Sequence, residues 1–343
     1  LTSYTILIRD AMGCILTFNF DHECKCTNLV GVIDKGLEKK CESEIFTFVY
    51  DPTLEKLDPN DTVIYVMTND PDPDNAAGGS FIKMLSSKTI AYDPTIMSYN
   101  TTYYIFVLVG KRNGQGGIDF SAGCVQVDGP KPFVFYKNPL PNAGVDDAIC
   151  GTVYDLKGIS SILGTNLKWR LISGPSGVQF SDDILATSSV NTQGNYGKYV
   201  FELTEDNNNC AASDLVEITF NPSPFISVFE KICIEYIPPY PYKATINITN
   251  GKPPFTIVQG GGMINGNVYM TDTLASLAQF NVKIQDANGC VSNLIIDDYN
   301  CDCGAIDAGE LDSIPTEVCI DKCVPIKTIV PPILDPEDVV MYV

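Results

Sequence analysis

The chain predicts an all-β protein, a string of disulfide-stapled β-sandwiches, on three observations. Its apolar stretches are short, rich in β-branched and aromatic residues, and bounded by Gly, Pro, Asn or Asp: TVIYVM, YYIFVLV, KYVFELT, VEITF, KATINIT, QFNVKIQD and NLIIDD. Stretches long enough for a helix are nearly absent; only FIKMLSSK (81–88) and LASLAQ (274–279) have room for a turn or two. Thirteen cysteines point to an oxidising compartment, where bridges between strands persist.

Charge narrows the partners. Asp and Glu number 42 against 22 Lys and Arg, a net charge of −20, and the basic residues are scattered singly. Nucleic acid needs a basic stripe for its phosphates and is excluded as a partner, as is an anionic membrane surface. Such acidity keeps an extracellular protein soluble and self-repelling. No apolar run approaches the roughly eighteen residues of a membrane span; TYYIFVLVG (102–110) is the longest and reads as a buried strand. LTSYTILIRD opens on a strand pattern without the features of a signal peptide, so the sequence is expected to be an interior piece of a longer exported chain.

The sequence repeats itself. DAMGC (10–14), CKC (24–26), Cys41 and LDPNDTVIYV (57–66) recur in the same order as DANGC (286–290), CDC (301–303), Cys319 and LDPEDVVMYV (334–343), at offsets of 276, 277 and 278 residues. The chain therefore reads as one period of about 277 residues plus an overlap, a slice of a tandem array.

Three modules fit within the period. Residues 24–137 run from the CxC to PFVFY and carry the strands TVIYVM and YYIFVLV; residues 138–222 run from PLPNAG to LVEITF; residues 223–300 run to LIIDDYN. Residues 1–23 are then the end of a preceding module of the third type, and 301–343 the first part of another of the first type. The proline-bearing joints NPLPNAG and NPSPF set semi-rigid angles between modules.

The cysteines place the expected staples. Cys150 and Cys210 lie early and late in the second module, Cys233 and Cys290 likewise in the third, at spacings of 60 and 57 residues. Pairing an early strand with a late one joins the two sheets of a sandwich, and closing a loop of that length contributes about 4 kcal/mol. The expected bonds are therefore Cys150–Cys210, Cys233–Cys290 and, in the first module, Cys41–Cys124. Cys24 and Cys26 have uncertain partners, a bond between them being strained, and Cys323 has no counterpart in the first copy, where Ile45 stands. Zinc would need CxxC pairs or more histidines than the solitary His22. Trp169, between Cys150 and Cys210, reads as a core residue packed on an inter-sheet bond, as in immunoglobulin-like domains.

Catalytic patterns are missing: no GxSxG, no HExxH, no phosphate-cradling loop between a strand and a helix. No organic cofactor is expected. NDPDPDN (69–75) places Asp70, Asp72 and Asp74 on alternate positions of a proline-stiffened segment, a candidate calcium site against the plainer reading of a solvated loop. Asp-Ser/Thr-aliphatic triplets make Thr62, Thr273 and Ser313 candidate O-glycosylation sites.

GKPPFTIVQGG and FNVKIQDANGC (251–290) resemble the SprB-type repeat of giant surface adhesins of gliding Bacteroidetes. The second module, with PNAG, AICG, WRLISGPSG and GNYGKYVFELTEDNNNCAASDLVEITF, resembles the PKD-like domains of the same proteins, and the CxC module looks like a third repeat type found beside them. The aromatic-Ser-Trp phrase that follows the Pro-Pro start in the family is missing after PPFTIV. The resemblance implies immunoglobulin-like and PKD-like sandwiches in very large proteins exported by type IX secretion and used in adhesion, gliding or surface contact. It supplies no catalytic residues. A non-enzymatic cell-surface adhesin shaft is the expected role, with partners among copies of the same modules and a glycan or protein surface ligand. The alternatives are a subunit of a multimeric hook or fibre, with YIPPYPY (236–242) as a lateral contact, a carbohydrate-binding module, and a secreted hydrolase whose catalytic domain lies elsewhere.

Overall fold

Apolar residues at alternate positions can bury one face of a strand, and this period of two is the main pattern behind the cores of the described units. A computed structural model describes residues 2–22, 26–72, 80–235, 239–301, 310–311 and 328–330. Their helical content is a single 3-10 turn at Phe120–Ala122, and among the described residues no helix is long and apolar enough to cross a membrane.

The chain opens with an antiparallel hairpin, β1 (Thr2–Arg9) and β2 (Ile15–His22), joined through DAMGC. The first unit follows: β3 (Val32–Ile33), β4 (Glu38–Cys41), β5 (Ile45–Thr47), β6 (Tyr50–Asp51), β7 (Asp61–Thr68), β8 (Phe81–Leu85), β9 (Thr89–Ala91), β10 (Thr102–Lys111) and β11 (Gln126–Tyr136). Its main sheet has the order β4-β11-β10-β7-β8, and the short pairs β3–β6 and β5–β9 cover one face. Phe46, Phe48, Tyr103, Ile105, Val107, Phe133 and Phe135 meet in that core. On the other face of the sheet Phe106 and Leu108 pack with Val66 and Ile118, which explains why β10 is apolar without alternation: both of its faces are covered.

FIKMLSSK forms no helix. Its first five residues are β8, hydrogen-bonded to the open edge of β7, with Ile82 and Leu85 packed against the core. The ladder offered by β7 outweighs the weak local helix preference.

The second unit comprises β12 (Asp147–Cys150), β13 (Val153–Asp155), β14 (Asn166–Ser173), β15 (Gln179–Phe180), β16 (Ser189–Asn191), β17 (Gly197–Asn207) and β18 (Cys210–Asn221). A four-stranded sheet, β12-β18-β17-β14, faces a three-stranded one, β13-β16-β15. Tyr199, Phe201 and Leu203 from β17 and Val216, Ile218 and Phe220 from β18 enclose Trp169. The third unit comprises β19 (Phe225–Cys233), β20 (Tyr242–Thr249), β21 (Thr256–Gln259), β22 (Gly262–Asn265), β23 (Val268–Thr271), β24 (Phe280–Gln285) and β25 (Ile295–Asp297), in sheets β19-β20-β23-β22 and β21-β24-β25. LASLAQ is a turn here, with the Ala278 N–H donating to the Ala275 carbonyl at 2.9 Å and Leu277 at φ 61°. A last pair, β26 (Glu310–Leu311) and β27 (Thr328–Val330), lies beyond. Cys301, which the repeat-based division places in the next module, is buried in the third core and bonded to Cys233, so the third unit reaches at least that residue.

Two parallel pairings set the ends of the first two units. β4 runs parallel to β11 with Cys41 opposite Tyr136, and β12 runs parallel to β18 with Cys150 opposite Asn221. Tyr136 and Asn221 close the last strands of their units, so in each case a cysteine stands beside the chain as it leaves for the next unit.

Candidate functional sites at the unit junctions

The eight cysteines described between residues 26 and 301 form four bonds: Cys26–Cys124, Cys41–Cys210, Cys150–Cys290 and Cys233–Cys301. None is among the three expected from spacing. The reason lies in strand length. Cys150 sits at the Asn221 end of β18 and Cys210 opens the same strand eleven residues earlier, about 35 Å away. A disulfide spans less than about 7 Å between Cα atoms, so Cys150 and Cys210 cannot meet. Cys41, opposite Tyr136, is separated by the length of β11 from Cys124, and Cys233 lies at the far end of β19 from the entry where Cys290 sits. Two of the four bonds therefore cross between units: Cys41–Cys210 joins the first to the second, and Cys150–Cys290 the second to the third, both at Cα separations of 5.5 Å.

Both junctions have one construction. The cysteine on the exit side ends a parallel edge strand; its partner follows a tight turn on the entry side of the next unit. At the first junction that turn joins β17 to β18, with Asn208 and Asn209 at φ 56° and 73°, the two left-handed positions of a type I′ hairpin. Asn207 donates from its amide to the Lys137 carbonyl at 2.8 Å, tying the turn to the linker. At the second junction the turn is DANGC: the Asp286 carboxylate accepts from the N–H groups of Asn288 (2.9 Å) and Cys290 (2.8 Å), Gly289 has φ 83°, and the Asn288 amide donates to the Asn221 side chain at 2.9 Å. Each joint thus has a peptide, a disulfide and a side-chain hydrogen bond.

The remaining predicted residues separate. Trp169 is 1% exposed and its Nε1–H donates to the carbonyls of Leu185 (3.0 Å) and Ala186 (3.1 Å), but no disulfide lies beside it, because both cysteines of its unit face the neighbours. The Asp70 carboxylate accepts from the Asp72 N–H at 2.9 Å; Asp74 lies outside the described residues. Among the described residues no three His, Cys, Asp or Glu side chains converge as metal ligands. Thr273 is exposed in a loop, Thr62 is half-buried in β7 opposite Gly110, and Ser313 lies outside the described residues, as do Cys24 and Cys323. In YIPPYPY, residues 236–238 lie outside the described residues; Tyr242 is fully buried with its hydroxyl donating to the Ala278 carbonyl at 2.5 Å, which removes it as a lateral contact, and Tyr240 is partly buried against the same core.

One polar site has no signal in the sequence. Glu205, fully buried on β17, accepts from the Ser161 and Ile162 N–H groups and from the hydroxyls of Ser160, Ser161 and Thr165, all at 2.7–2.9 Å. Burial pushes its carboxyl up, but the donors together outweigh burial and hold the pKa at about 2. The loop 160–165 is thereby anchored to the sheet, next to the first junction. Lys131 is similarly enclosed, its ammonium donating to Asp34 (2.5 Å) and to the Gly36 carbonyl (2.6 Å).

No protein-family model and no curated protein matches the chain. Among solved structures it is similar to the I-band fragment I67–I69 of titin, at 12% identity over 79% of this chain and 96% of that one, with a TM-score of 0.40. It is also similar to the PKD domain of the KIAA 1837 protein (24% identity, 24% of this chain, 85% of that one, TM-score 0.22) and to extracellular domains 3–5 of Drosophila OTK (11%, 79% and 95%, 0.28). The sheets and registers described above define the class: tandem immunoglobulin-like and PKD-like β-sandwiches, joined to one another by disulfides.

Proposed function

We propose that this chain is part of the shaft of an extracellular, non-catalytic adhesin or surface filament, of the kind built by the giant repeat proteins of gliding Bacteroidetes and exported by type IX secretion. The observation that carries the reading is that both junctions between sandwiches are crossed by a disulfide. A binding module needs a face; a shaft needs joints that do not part. Bonds spent between units rather than inside them serve the second need, and they persist only outside the reducing cytosol. Surface ligands, whether glycan or protein, are then met elsewhere on the molecule, and repetition multiplies weak contacts through effective concentration.

A multimeric hook or fibre is the second reading. It is favoured by the edge strand β19, whose Phe225, Phe229 and Ile232 are exposed in an otherwise acidic chain. Electron microscopy of cells labelled with an antibody against residues 24–300 separates the two. Thin single strands radiating from the surface support the shaft; thick regular fibres support lateral packing; label confined to the cytoplasm removes both.

A further inference from the structure

The N-terminal hairpin carries an apolar surface and a thiol that its internal duplicate keeps occupied. The sequence SYTILIRDAMGC (3–14) aligns without gaps on QFNVKIQDANGC (279–290). The local structure matches as well. Asp10 accepts from the N–H groups of Met12 and Cys14, both at 2.9 Å, as Asp286 does from Asn288 and Cys290, and Gly13 has φ 91° where Gly289 has 83°. The strands before the two turns each pair antiparallel with the strand after.

Their surroundings differ. Val282 and Ile284 are 0% exposed, covered by β19, β20 and β23, and Cys290 is bonded to Cys150. The equivalent Ile6 and Ile8 are 48% and 53% exposed, and Cys14 is exposed and free. A hairpin with half-exposed isoleucines is an unfinished sandwich, because two strands alone bury too little to be stable.

We infer that β1–β2 completes a sandwich with a further copy of residues 138–276 carried in cis by the same polypeptide, and that Cys14 bonds to that copy's Cys150 equivalent. The duplicate identifies the occupant: the copy supplies strands of the β19–β23 type to cover Ile6 and Ile8, and a unit of the β12–β18 type to present the cysteine. The bond forms by exchange. The Cys14 thiolate attacks a small disulfide such as oxidised glutathione and expels one thiolate; the partner thiolate attacks the Cys14 sulfur of the mixed disulfide and expels the second. Two thiols are oxidised and one small disulfide is reduced. The inference rests on the duplication and holds whether or not the array carries tension.

The test places residues 138–276 directly before Leu1 of the full chain, so that the added copy leads into the hairpin in the duplicate's register. Cys14 is then read by alkylation with a maleimide and by peptide mapping without reduction. In the chain alone Cys14 is expected to alkylate freely. In the extended chain its labelling should fall at least tenfold, and its peptide should be recovered joined to the added Cys150. Ile6→Asp with Ile8→Asp should restore labelling in the extended chain while leaving the four resident bonds in place. An extended chain that forms its resident bonds yet labels Cys14 as fast as the parent overturns the inference. Loss of labelling that survives both aspartates overturns the docking of the hairpin. In protein from its natural source, recovery of Cys14 as a free thiol counts equally against it.

Discussion

Pulling the chain by its two ends tests the architecture of its bonds. Between Cys26 and Cys301 the backbone is about 275 residues long, but the disulfides offer two shorter covalent routes. One crosses Cys26–Cys124 and Cys150–Cys290 and leaves about 37 residues of extensible chain; the other crosses Cys41–Cys210 and Cys233–Cys301 and leaves about 38. At roughly 3.4 Å per residue each route is taut near 130 Å, against some 900 Å for the bare backbone. Full reduction should therefore release about 800 Å of extra contour on unfolding. Cys41→Ser with Cys210→Ser should release almost none, because the other route has the same length. Removing Cys41–Cys210 and Cys150–Cys290 together should release about 250 Å, the two intra-unit bonds still holding. The assay is single-molecule force spectroscopy with handles at both termini, with and without reductant. A gain above about 50 Å (some fifteen residues) in the Cys41→Ser, Cys210→Ser variant would refute the two-route reasoning.

Three further outcomes concern the second unit. Glu205→Gln removes a buried carboxylate that five donors stabilise; the shift from the ordinary 4.5 to about 2 corresponds to roughly 3 kcal/mol. Because the folded pKa is depressed, that stability is fully present above about pH 4.5 and is lost as pH falls toward 2, so urea midpoints of the variant and parent should converge there and differ most at neutral pH. Trp169→Ala should cost about 3–5 kcal/mol in urea unfolding, since it empties the core and strands the carbonyls of Leu185 and Ala186; a cost below 1 kcal/mol contradicts the packing described. Gly158→Ala would place its Cβ 2.6 Å from the Ala186 carbonyl oxygen and 2.7 Å from the Trp169 ring, so it should be destabilising by about 1–3 kcal/mol, with altered Trp169 fluorescence.

Strand patterns are local, and they were legible: the alternation in KYVFELT and KATINIT needs only neighbouring residues to predict which side chains meet in a core. FIKMLSSK was not, because its state is set by the edge of β7, a partner distant in sequence. The disulfides failed for a related reason. Spacing within a module says how much chain separates two cysteines, but not that they lie at opposite ends of a long strand. One available sign was the shared form of DNNNC (206–210) and DANGC (286–290), two cysteines directly after tight turns in consecutive modules. Equivalent positions in successive units do equivalent work, and here that work is directed at the neighbour before. Glu205 carries no signal because its donors come from a loop some 40 residues earlier that only folding brings near.

The pairing of Cys41 with Tyr136 and of Cys150 with Asn221 places two covalent connections side by side at each junction, about one strand spacing apart. A single peptide link is a swivel: one unit can spin on the next at the cost of a few dihedral angles. Two links in parallel behave as a strap hinge, which still bends about the line joining its pins but no longer spins. Rotation applied to one unit is then resisted at the joint and passed to its neighbour instead of being lost in a swivel.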